Sequence, residues 1–346
     1  MAGGHSLAHI GSFTSEGGAG VTTARYDART GALTPLSATD AVVDPSFLAA
    51  DASSGMLYAV SEGEKGAAAA FRIGAGGLEP VGAPVSVDGA GPTHLAVAAG
   101  HLFTANYVSG SVSTLPLAAD GALGGGGASV LRHTGSGPNA DRQEGPHAHQ
   151  VQPDPSGRWI VSVDLGTDAV RVCALESNRL QVHTTAQLRP GSGPRHLAFH
   201  PRGHRAYILN ELAPTVTACR WDPERGELEP LGETGILPAG AEDVTAYGSG
   251  IVISPDGRLL WTAIRGHDSV STLTLDDAGD TLELTANVPC GGRWPRELAI
   301  DPAGAHLYAA NQHSGDVVWF DADARTGELT RAGSIAAPAA SCVVFS

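Results

Sequence analysis

One short motif, a tight turn followed by leucine, recurs seven times along this chain of 346 residues. The intervals between its leucines run from 45 residues, Leu33 to Leu78, to 57 residues, Leu123 to Leu180. Self-similarity at a period of about 50 residues is typical of repeat folds, in which each repeat is one small supersecondary unit. The leucines are Leu33, Leu78, Leu123, Leu180, Leu228, Leu282 and Leu329.

A second motif, strand–turn–strand, lies between the turn–leucine motifs. It is clearest in PTHLAVAAGHLFTANYVSG (92–110), PRHLAFHPRGHRAYILNEL (194–212) and PRELAIDPAGAHLYAANQHSG (295–315), and variants occur at 45–63, 146–166 and 248–266. Segments such as DPSG and SPDG favour tight turns, so each unit is expected to begin with a β-hairpin. Two further strands are expected before each turn–leucine motif. The total of about four strands per unit is that of a propeller blade.

The chain has seven turn–leucine motifs but only six complete hairpins. The two ends of the chain together account for the seventh unit. AASCVVFS (339–346) is predicted to form a lone first strand, and residues 7–36 are predicted to supply the remaining strands of the same blade. The sequence therefore predicts an all-β fold, a seven-bladed β-propeller that forms a single domain over residues 1–346. Amino- and carboxy-terminal strands that share one blade would close the ring.

Composition limits the partners that this chain can have. Its net charge of -15 argues against nucleic acid or an anionic membrane surface, since both need a basic face. No apolar run approaches the ~20 residues of a membrane span, and the start MAGGHSLAHIGSFTSE lacks the features of a signal peptide. The four cysteines show no CxxC spacing, which favours reduced thiols. We expect a cytoplasmic protein with a small-molecule partner, and the sequence indicates no oligomeric state.

Polar side chains converge on one edge of the predicted ring when the six hairpins are aligned on their turns. In an antiparallel hairpin, the start of the first strand and the end of the second lie at the same edge. The first strands begin with Ser46, Thr93, His149, Arg195, Ser249 and Arg296. The second strands end with Ser61 and Glu62, Asn106 and Tyr107, Asp164 and Leu165, Asn210 and Glu211, Ile264 and Arg265, and Asn311 and Gln312. Three arginines that face one central pocket in such an acidic chain predict a ligand site.

The same side chains also admit structural roles, which the sequence leaves open. Asn106, Asp164 and Asn311 are of types that cap turns by bonding to local backbone. The arginines are alternatively held in salt bridges by nearby carboxylates such as Glu211. A metal site is disfavoured, because the residues aligned with His149 are arginines, which repel a cation.

Several segments together resemble the seven-bladed lactonase family, over nearly the whole chain. They are GPHAHQV, DLGTD, GPRHLAFHPRGHRAYILNELAPTVT, SPDGRLLWTAIRGHDSV and PRELAIDPAGAHLYAANQHSGDVVWF. The family contains bacterial propeller-type 6-phosphogluconolactonases and the fungal 3-carboxy-cis,cis-muconate lactonizing enzyme. The resemblance implies chemistry without a metal or organic cofactor, and it places His149, Arg195, Glu211 and Arg265 at the active centre. Ile264 stands where the family usually has Asn, so we expect this rim to lack one polar group.

The resemblance implies a lactonase that hydrolyses a small anionic or polar sugar-acid lactone, as 6-phosphogluconolactonases do. A lactonizing cyclase and a non-catalytic ligand- or partner-binding propeller are the alternatives. Either His149 or Glu211 is the expected general base, and either Arg195 or Arg265 is expected to stabilise the oxyanion. Arg296 is expected to hold a phosphate or carboxylate. The other predicted substrate contacts are His147, His94, Asn210, Asn311 and Gln312.

Overall fold

The computed structural model describes residues 7–124, 126–241 and 243–346. The first six residues lie outside this part, and with them the beginning of the segment from which no signal peptide is expected. Residues 125 and 242 of the predicted domain also lie outside it. Across the described ranges, the strands form six four-stranded sheets and one five-stranded sheet. These sheets are the blades of a propeller.

The strands follow one another in a regular order. The amino-terminal strands are β1 (Leu7–Ser12), β2 (Val21–Tyr26) and β3 (Leu33–Thr39), with a short 3-10 helix at Thr14–Glu16. Blade 1 contains β4 (Leu48–Asp51), β5 (Met56–Ser61), β6 (Ala67–Gly74) and β7 (Gly77–Pro80), with β8 (Val85–Ser86) paired to β6. Blade 2 contains β9 (Pro92–Ala98), β10 (His101–Asn106), β11 (Ser111–Pro116) and β12 (Ser129–Arg132).

The next four blades repeat this pattern. Blade 3 contains β13 (Ala148–Pro153), β14 (Ile160–Asp164), β15 (Ala169–Glu176) and β16 (Arg179–Gln187). Blade 4 contains β17 (Pro194–Phe199), β18 (Arg205–Asn210), β19 (Thr215–Asp222) and β20 (Glu227–Gly235). Blade 5 contains β21 (Tyr247–Ile253), β22 (Leu259–Arg265), β23 (Ser269–Leu275) and β24 (Leu282–Pro289). Blade 6 contains β25 (Pro295–Ile300), β26 (His306–Asn311), β27 (Asp316–Ala322) and β28 (Leu329–Ala336).

Blade 7 is built from both ends of the chain. Its first strand is β29 (Ala340–Phe345), which pairs antiparallel with β1 and places Ala8 opposite Phe345 and Gly11 opposite Cys342. The sheet order is β29-β1-β2-β3. The first strands touch in cyclic order from β4 through β9, β13, β17, β21, β25 and β29 and back to β4. The predicted seven-bladed ring with a shared terminal blade is therefore confirmed.

The turn–leucine motif joins the third and fourth strands of a blade. Leu33, Leu282 and Leu329 begin the fourth strands β3, β24 and β28. Leu180 and Leu228 are the second residues of β16 and β20. The expectation that two strands precede each motif was wrong, because the motif is the turn of the second hairpin. One strand precedes it and one follows.

Packing between blades explains why this turn recurs. An aromatic side chain at or near the second strand of one blade donates a hydrogen bond to the turn of the next. Tyr58 Oη donates to the Gly121 carbonyl at 2.7 Å, and Trp261 Nε1 donates to the Gly327 carbonyl at 3.2 Å. The same contact recurs in the pairs Trp159–Pro223, Tyr207–Gly279 and Tyr308–Gly31. Each of these five turns is thus fixed against the preceding blade, so the same requirement recurs around much of the ring.

Burial follows the position of a strand within its blade. All seven residues of β22 are buried, because neighbouring blades pack on both of its faces. The fourth strand β16 lies at the outer edge and is mostly exposed. The four cysteines are buried and unpaired, as the sequence predicted. Among the described residues, no helix has the length and apolarity needed to span a bilayer.

Candidate active site

A β-bulge marks the start of the first strand in several blades. His149 is the extra residue of a bulge in blade 3, and Arg195 and Arg296 occupy the same place in blades 4 and 6. Thr93 is their counterpart in blade 2. A bulge interrupts the regular alternation of a strand and re-aims a side chain. The positions that aligned in sequence thus share one local backbone feature at the edge of the ring.

Glu211 is the centre of this edge, because three arginines converge on its carboxylate. Arg265 Nη2 lies 2.7 Å from Oε2, and Arg195 Nε lies 3.4 Å from the same oxygen. Arg142 Nη2 donates a hydrogen bond of 2.6 Å to Oε1 and another of 3.2 Å to the hydroxyl of Tyr107. Glu211 is only 3% exposed. The three guanidinium groups come from three separate segments of the chain.

This environment determines the charge of Glu211. Burial alone would raise the pKa of its carboxyl group, but the nearby charges of Arg265, Arg195 and Arg142 outweigh it and lower the pKa to about 2. Glu211 is therefore a carboxylate throughout the neutral range. A group with such a low pKa is a weak base, so its strongest physical effect is to hold the arginines in place.

Arg195 also contacts a second buried carboxyl group. Its Nη1 lies 3.5 Å from Oε2 of Glu297 and donates to the carbonyl of Ser249. Nδ1 of His196 lies 3.1 Å from the same Glu297 oxygen. Burial raises the pKa of Glu297, although Arg195 opposes the shift. Arg195 thus lies between two carboxyl groups whose pKa values are moved in opposite directions.

His149 is buried beside this arginine cluster. Its ring lies 5.5 Å from that of Tyr107 and 5.2 Å from that of His196. Burial, followed by the positive charge of Arg195 and other neighbours, lowers the pKa of His149 well below its usual range. The imidazole is therefore neutral near pH 7. Its Nδ1 has no hydrogen-bond partner among the described residues.

Arg296 and Gln312 lie on the same edge but outside the cluster around Glu211. Arg296 Nη2 lies 3.5 Å from Glu62 Oε2, and its guanidinium carbon lies 4.9 Å from the ring centre of Phe13. Gln312 Nε2 donates to the carboxylate of Glu16 at 2.9 Å. These two side chains remain candidates for contact with the outer part of a ligand.

His147 and His94 occupy different surroundings from His149. His147 donates from Nδ1 to the Tyr107 carbonyl at 3.0 Å, and its Nε2 lies 3.2 Å from Glu144 Oε1. Its ring stacks on Tyr107 at 4.5 Å. His94 is buried against Phe47, with the ring centres 3.9 Å apart. Both nitrogens of His147 are thus engaged, which favours a role in holding Tyr107.

Asn210 and Asn311 point into their own blades. Asn210 Nδ2 donates to the hydroxyl groups of Thr215 and Thr217, each at 2.9 Å. Asn311 Nδ2 donates to Asp316 Oδ1 at 3.0 Å. Both asparagines are fully buried. Their amides bond within blades 4 and 6 and make no hydrogen bond to the cluster around Glu211.

The side chain of Ile264 does not lie where the sequence predicted. The sequence predicted that this residue removes a polar group from the rim, yet Ile264 is fully buried in the apolar core with Leu209 and Val216. Its counterpart Asn210 is also buried, so the position faces the blade interior. In blade 5 the amide of Asn287 donates instead to Ser269 and Ser271, at 2.9 and 2.8 Å. Ser269 and Ser271 occupy the same places in β23 as Thr215 and Thr217, the partners of Asn210, occupy in β19. Blade 5 therefore has the same hydrogen bonds as blade 4, with a donor from a different strand.

Arg142 is the residue of this cluster that the sequence prediction missed. It lies in the connection between β12 and β13, which belongs to no hairpin and therefore could not be aligned. Gln143 beside it is fully buried and donates to Asp168 Oδ1 and to the Leu165 carbonyl, both at 2.8 Å. In the sequence, the available signal was an arginine beside a glutamine in the long segment before HAH.

The donor set of this site does not resemble a metal centre. Across the described ranges, no group of three or more His, Cys, Asp or Glu side chains is placed to hold a metal ion. The groups around Glu211 are guanidinium ions, which repel cations. The arrangement is suited to a polar or anionic ligand, since guanidinium groups bind carboxylate and phosphate oxygens.

Comparison with known proteins places the chain in a family. A family model described as Lactonase, 7-bladed beta-propeller, matches residues 7–345. The 6-phosphogluconolactonase of Bacillus subtilis (strain 168) is 32% identical over 345 residues, which cover 98% of each chain. The 6-phosphogluconolactonase of Formosa agariphila is 31% identical over 338 residues, 93% of this chain and 94% of that protein.

A solved structure agrees with these relatives. The periplasmic gluconolactonase of Pseudomonas aeruginosa superposes with a TM-score of 0.91 at 28% sequence identity, over 99% of both chains. The match of the family model extends through all seven blades, including the terminal strand that closes the ring. The chain therefore belongs to the seven-bladed β-propeller lactonase family.

Proposed function

We propose that this protein hydrolyses a sugar-acid lactone of the 6-phosphogluconolactone type. Family membership and the names of the relatives from Bacillus subtilis and Pseudomonas aeruginosa support the reaction class. The main structural support for the proposal is the convergence of Arg142, Arg195 and Arg265 on Glu211. A neutral imidazole, that of His149, lies beside them.

In the proposed reaction, His149 is the group that moves the proton. Its neutral ring accepts a proton from a water molecule while the oxygen of that water attacks the lactone carbonyl. The ring C–O bond then breaks, and the imidazolium returns the proton to the departing alkoxide. Because its pKa is lowered, this imidazolium is a stronger acid than an ordinary one, which favours the second transfer. The product is a hydroxy acid, which ionises to the carboxylate.

Arg195 and Arg265 supply the positive charge for the intermediate. Attack on the carbonyl creates an oxyanion, and fixed guanidinium groups in a water-poor site stabilise it strongly. Arg195 is 3% exposed and Arg265 is 7% exposed, so neither is screened by bulk water. Glu211 holds both guanidinium groups in position and balances part of their charge. Three guanidinium groups engage the Glu211 carboxylate, whereas Nδ1 of His149 has no partner among the described residues, so we assign the proton transfer to His149.

The charge of the rim indicates the kind of substrate. Arg142 and Arg296 lie toward solvent, with side chains 36% and 17% exposed, while Arg195 and Arg265 lie deeper. These outer guanidinium groups are placed to attract a carboxylate or phosphate group on a substrate. Steering by outer arginines is consistent with a small anionic lactone and with a chain that is otherwise acidic.

The proposed chemistry uses neither a metal nor an organic cofactor, because protein groups supply both the proton transfer and the charge stabilisation. The test is hydrolysis of 6-phosphogluconolactone and of glucono-1,5-lactone, with the spontaneous rate subtracted and EDTA present. We expect acceleration that EDTA leaves unchanged. Loss of activity with EDTA and recovery with a divalent ion would contradict metal independence. Turnover of 3-carboxy-cis,cis-muconate alone would instead support the lactonizing alternative.

A further inference from the structure

Trp294 lies next to the arginine cluster in an unusual backbone conformation. It immediately precedes β25 and has a φ of 62°, a left-handed value that bulky residues rarely adopt. Two hydrogen bonds hold it there: its N–H donates to Asp268 Oδ1 at 2.8 Å, and its carbonyl accepts from the N–H of Gln312 at 3.0 Å. Strained residues that persist under such restraint often lie at functional sites.

The indole of Trp294 packs against the guanidinium of Arg265. The guanidinium carbon lies 5.5 Å from the indole ring centre and 6.0 Å from the ring centre of Tyr247. The ring of His313 stacks on the indole at 4.8 Å with an angle of 14° between the planes. Tyr247 also meets the indole edge-on, with the ring centres 6.3 Å apart. Trp294 is thus held by two aromatic neighbours and lies against one cation.

Arg265 depends on these aromatic contacts, because it has few polar ones. Its Nη2 lies 2.7 Å from Glu211 Oε2, while its Nε has no hydrogen-bond partner in the part of the chain that the structure describes. Guanidinium groups stack well on aromatic faces. A long side chain held by a single carboxylate would otherwise retain considerable freedom.

We propose that Trp294 is a positioning residue that sets the orientation of Arg265 toward the substrate. This inference rests on the proposed function, in which Arg265 faces the developing oxyanion. The strained backbone places the indole beside the guanidinium, and Tyr247 and Glu211 limit its movement from other directions. Trp294 acts through Arg265 and takes no part in proton transfer.

Four variants test this role by kinetics. Trp294→Ala should lower kcat/KM by between about 10-fold and 100-fold, since small misplacements of catalytic groups have effects of this size. Trp294→Phe keeps an aromatic face and should recover most of the loss. Arg265→Ala should lower kcat/KM by itself, and adding Trp294→Ala to it should cause little further loss. Losses that multiply in the double variant, or a wild-type kcat/KM in Trp294→Ala, would overturn the proposal.

Trp294→Gly separates positioning from stability. Glycine adopts a positive φ without strain, so this variant should melt at or above the temperature of Trp294→Ala while remaining equally impaired in kcat/KM. A merely structural role predicts that activity follows the melting temperature. Recovery of activity in Trp294→Gly would therefore contradict the proposal.

Tryptophan fluorescence tests the contact independently of turnover. The other four tryptophans are buried, whereas Trp294 is partly exposed. Arg265→Ala should shift the emission of the protein, and the same change in a Trp294→Phe background should not. Addition of 6-phosphogluconate should also alter the emission of wild type and of the control Trp319→Phe, but not of Trp294→Phe.

Failure of the proposed function and failure of the positioning role give different results. A wild-type protein that hydrolyses no lactone contradicts the proposed function alone, because the emission change on Arg265→Ala still reports the contact. Active wild-type protein with identical emission in the presence and absence of the Arg265 side chain contradicts the positioning role alone.

Discussion

Arg142 donates a hydrogen bond of 2.6 Å to Glu211, although 69 positions separate the two residues in sequence. Arg142 comes from the connection before blade 3, whereas Glu211 follows the second strand of blade 4. The contact places a loop residue over the carboxylate that already binds Arg195 and Arg265. A segment outside the repeat thus completes the charge distribution of the site.

Replacing Arg142 tests whether this loop contributes to substrate binding. Arg142→Ala removes a partly exposed charge, so we expect a KM increase of about 10-fold with a smaller change in kcat. The increase should shrink at high salt, because exposed charges are screened. Arg189→Ala is the matched control, since Arg189 forms an exposed pair with Glu233 at 2.9 Å on the outer surface. An equal KM in wild type and Arg142→Ala would contradict this role.

Glu211 should make a pH-dependent contribution to stability. Its pKa falls from an ordinary 4.5 to about 2 on folding, so the contribution is present above pH 4.5 and is lost as the pH falls toward 2. The shift corresponds to roughly 3 kcal/mol. Glu211→Gln should therefore be less stable than wild type at pH 7, and the gap should narrow below pH 4.5. Urea unfolding at several pH values measures it; a gap independent of pH would contradict the assignment.

Glu297 should show the opposite dependence. Burial raises its pKa on folding, so the wild-type protein loses stability as the pH rises through the pKa of this group. Glu297→Gln cannot ionise at this position, and its melting temperature relative to wild type should therefore rise as the pH increases from below 4.5, the ordinary pKa, to neutrality. Calorimetry of both proteins at about pH 4 and about pH 7 measures this difference in melting temperature. A difference that falls with pH would show that Glu297 is stabilised as a carboxylate by Arg195.

Much of the fold was predictable because each blade repeats the same constraint. Five turn–leucine motifs mark turns that accept a hydrogen bond from the preceding blade, and this shared requirement keeps the pattern recognisable in the sequence. The sequence could place Arg195 and His149 on one edge because their hairpins can be aligned on their turns, and the structure shows an equivalent bulge at each residue. Arg142 was missed because its connection has no equivalent in the other blades.

The direction in which side chains point was less predictable. Asn210 and Glu211 are adjacent in sequence, yet Asn210 bonds within its blade while Glu211 meets the arginines. Trp294 lies outside every aligned strand, and its φ of 62° could not be deduced from residue type. Such details depend on contacts between blades, which a single repeat does not specify.

A substitution at Ile264 tests whether this position faces the apolar core. Ile264→Asn buries an amide among Leu209 and Val216, while Asn287 already bonds to Ser269 and Ser271. We expect a loss of about 2–4 kcal/mol in the free energy of unfolding, with kcat/KM per folded molecule unchanged. An increase in kcat/KM would show that this position contacts the substrate after all.

The effect of His149→Ala on lactone hydrolysis tests the proposed role of this imidazole most directly. Purified wild type should accelerate hydrolysis of 6-phosphogluconolactone above the spontaneous rate, and His149→Ala should lose about 100-fold to 10,000-fold in kcat. His183→Ala, which changes a histidine stacked on Trp159 on the outer side of a blade, should retain wild-type kcat. Wild-type kcat in His149→Ala, or hydrolysis by wild type no faster than in buffer, would contradict lactone hydrolysis by way of His149.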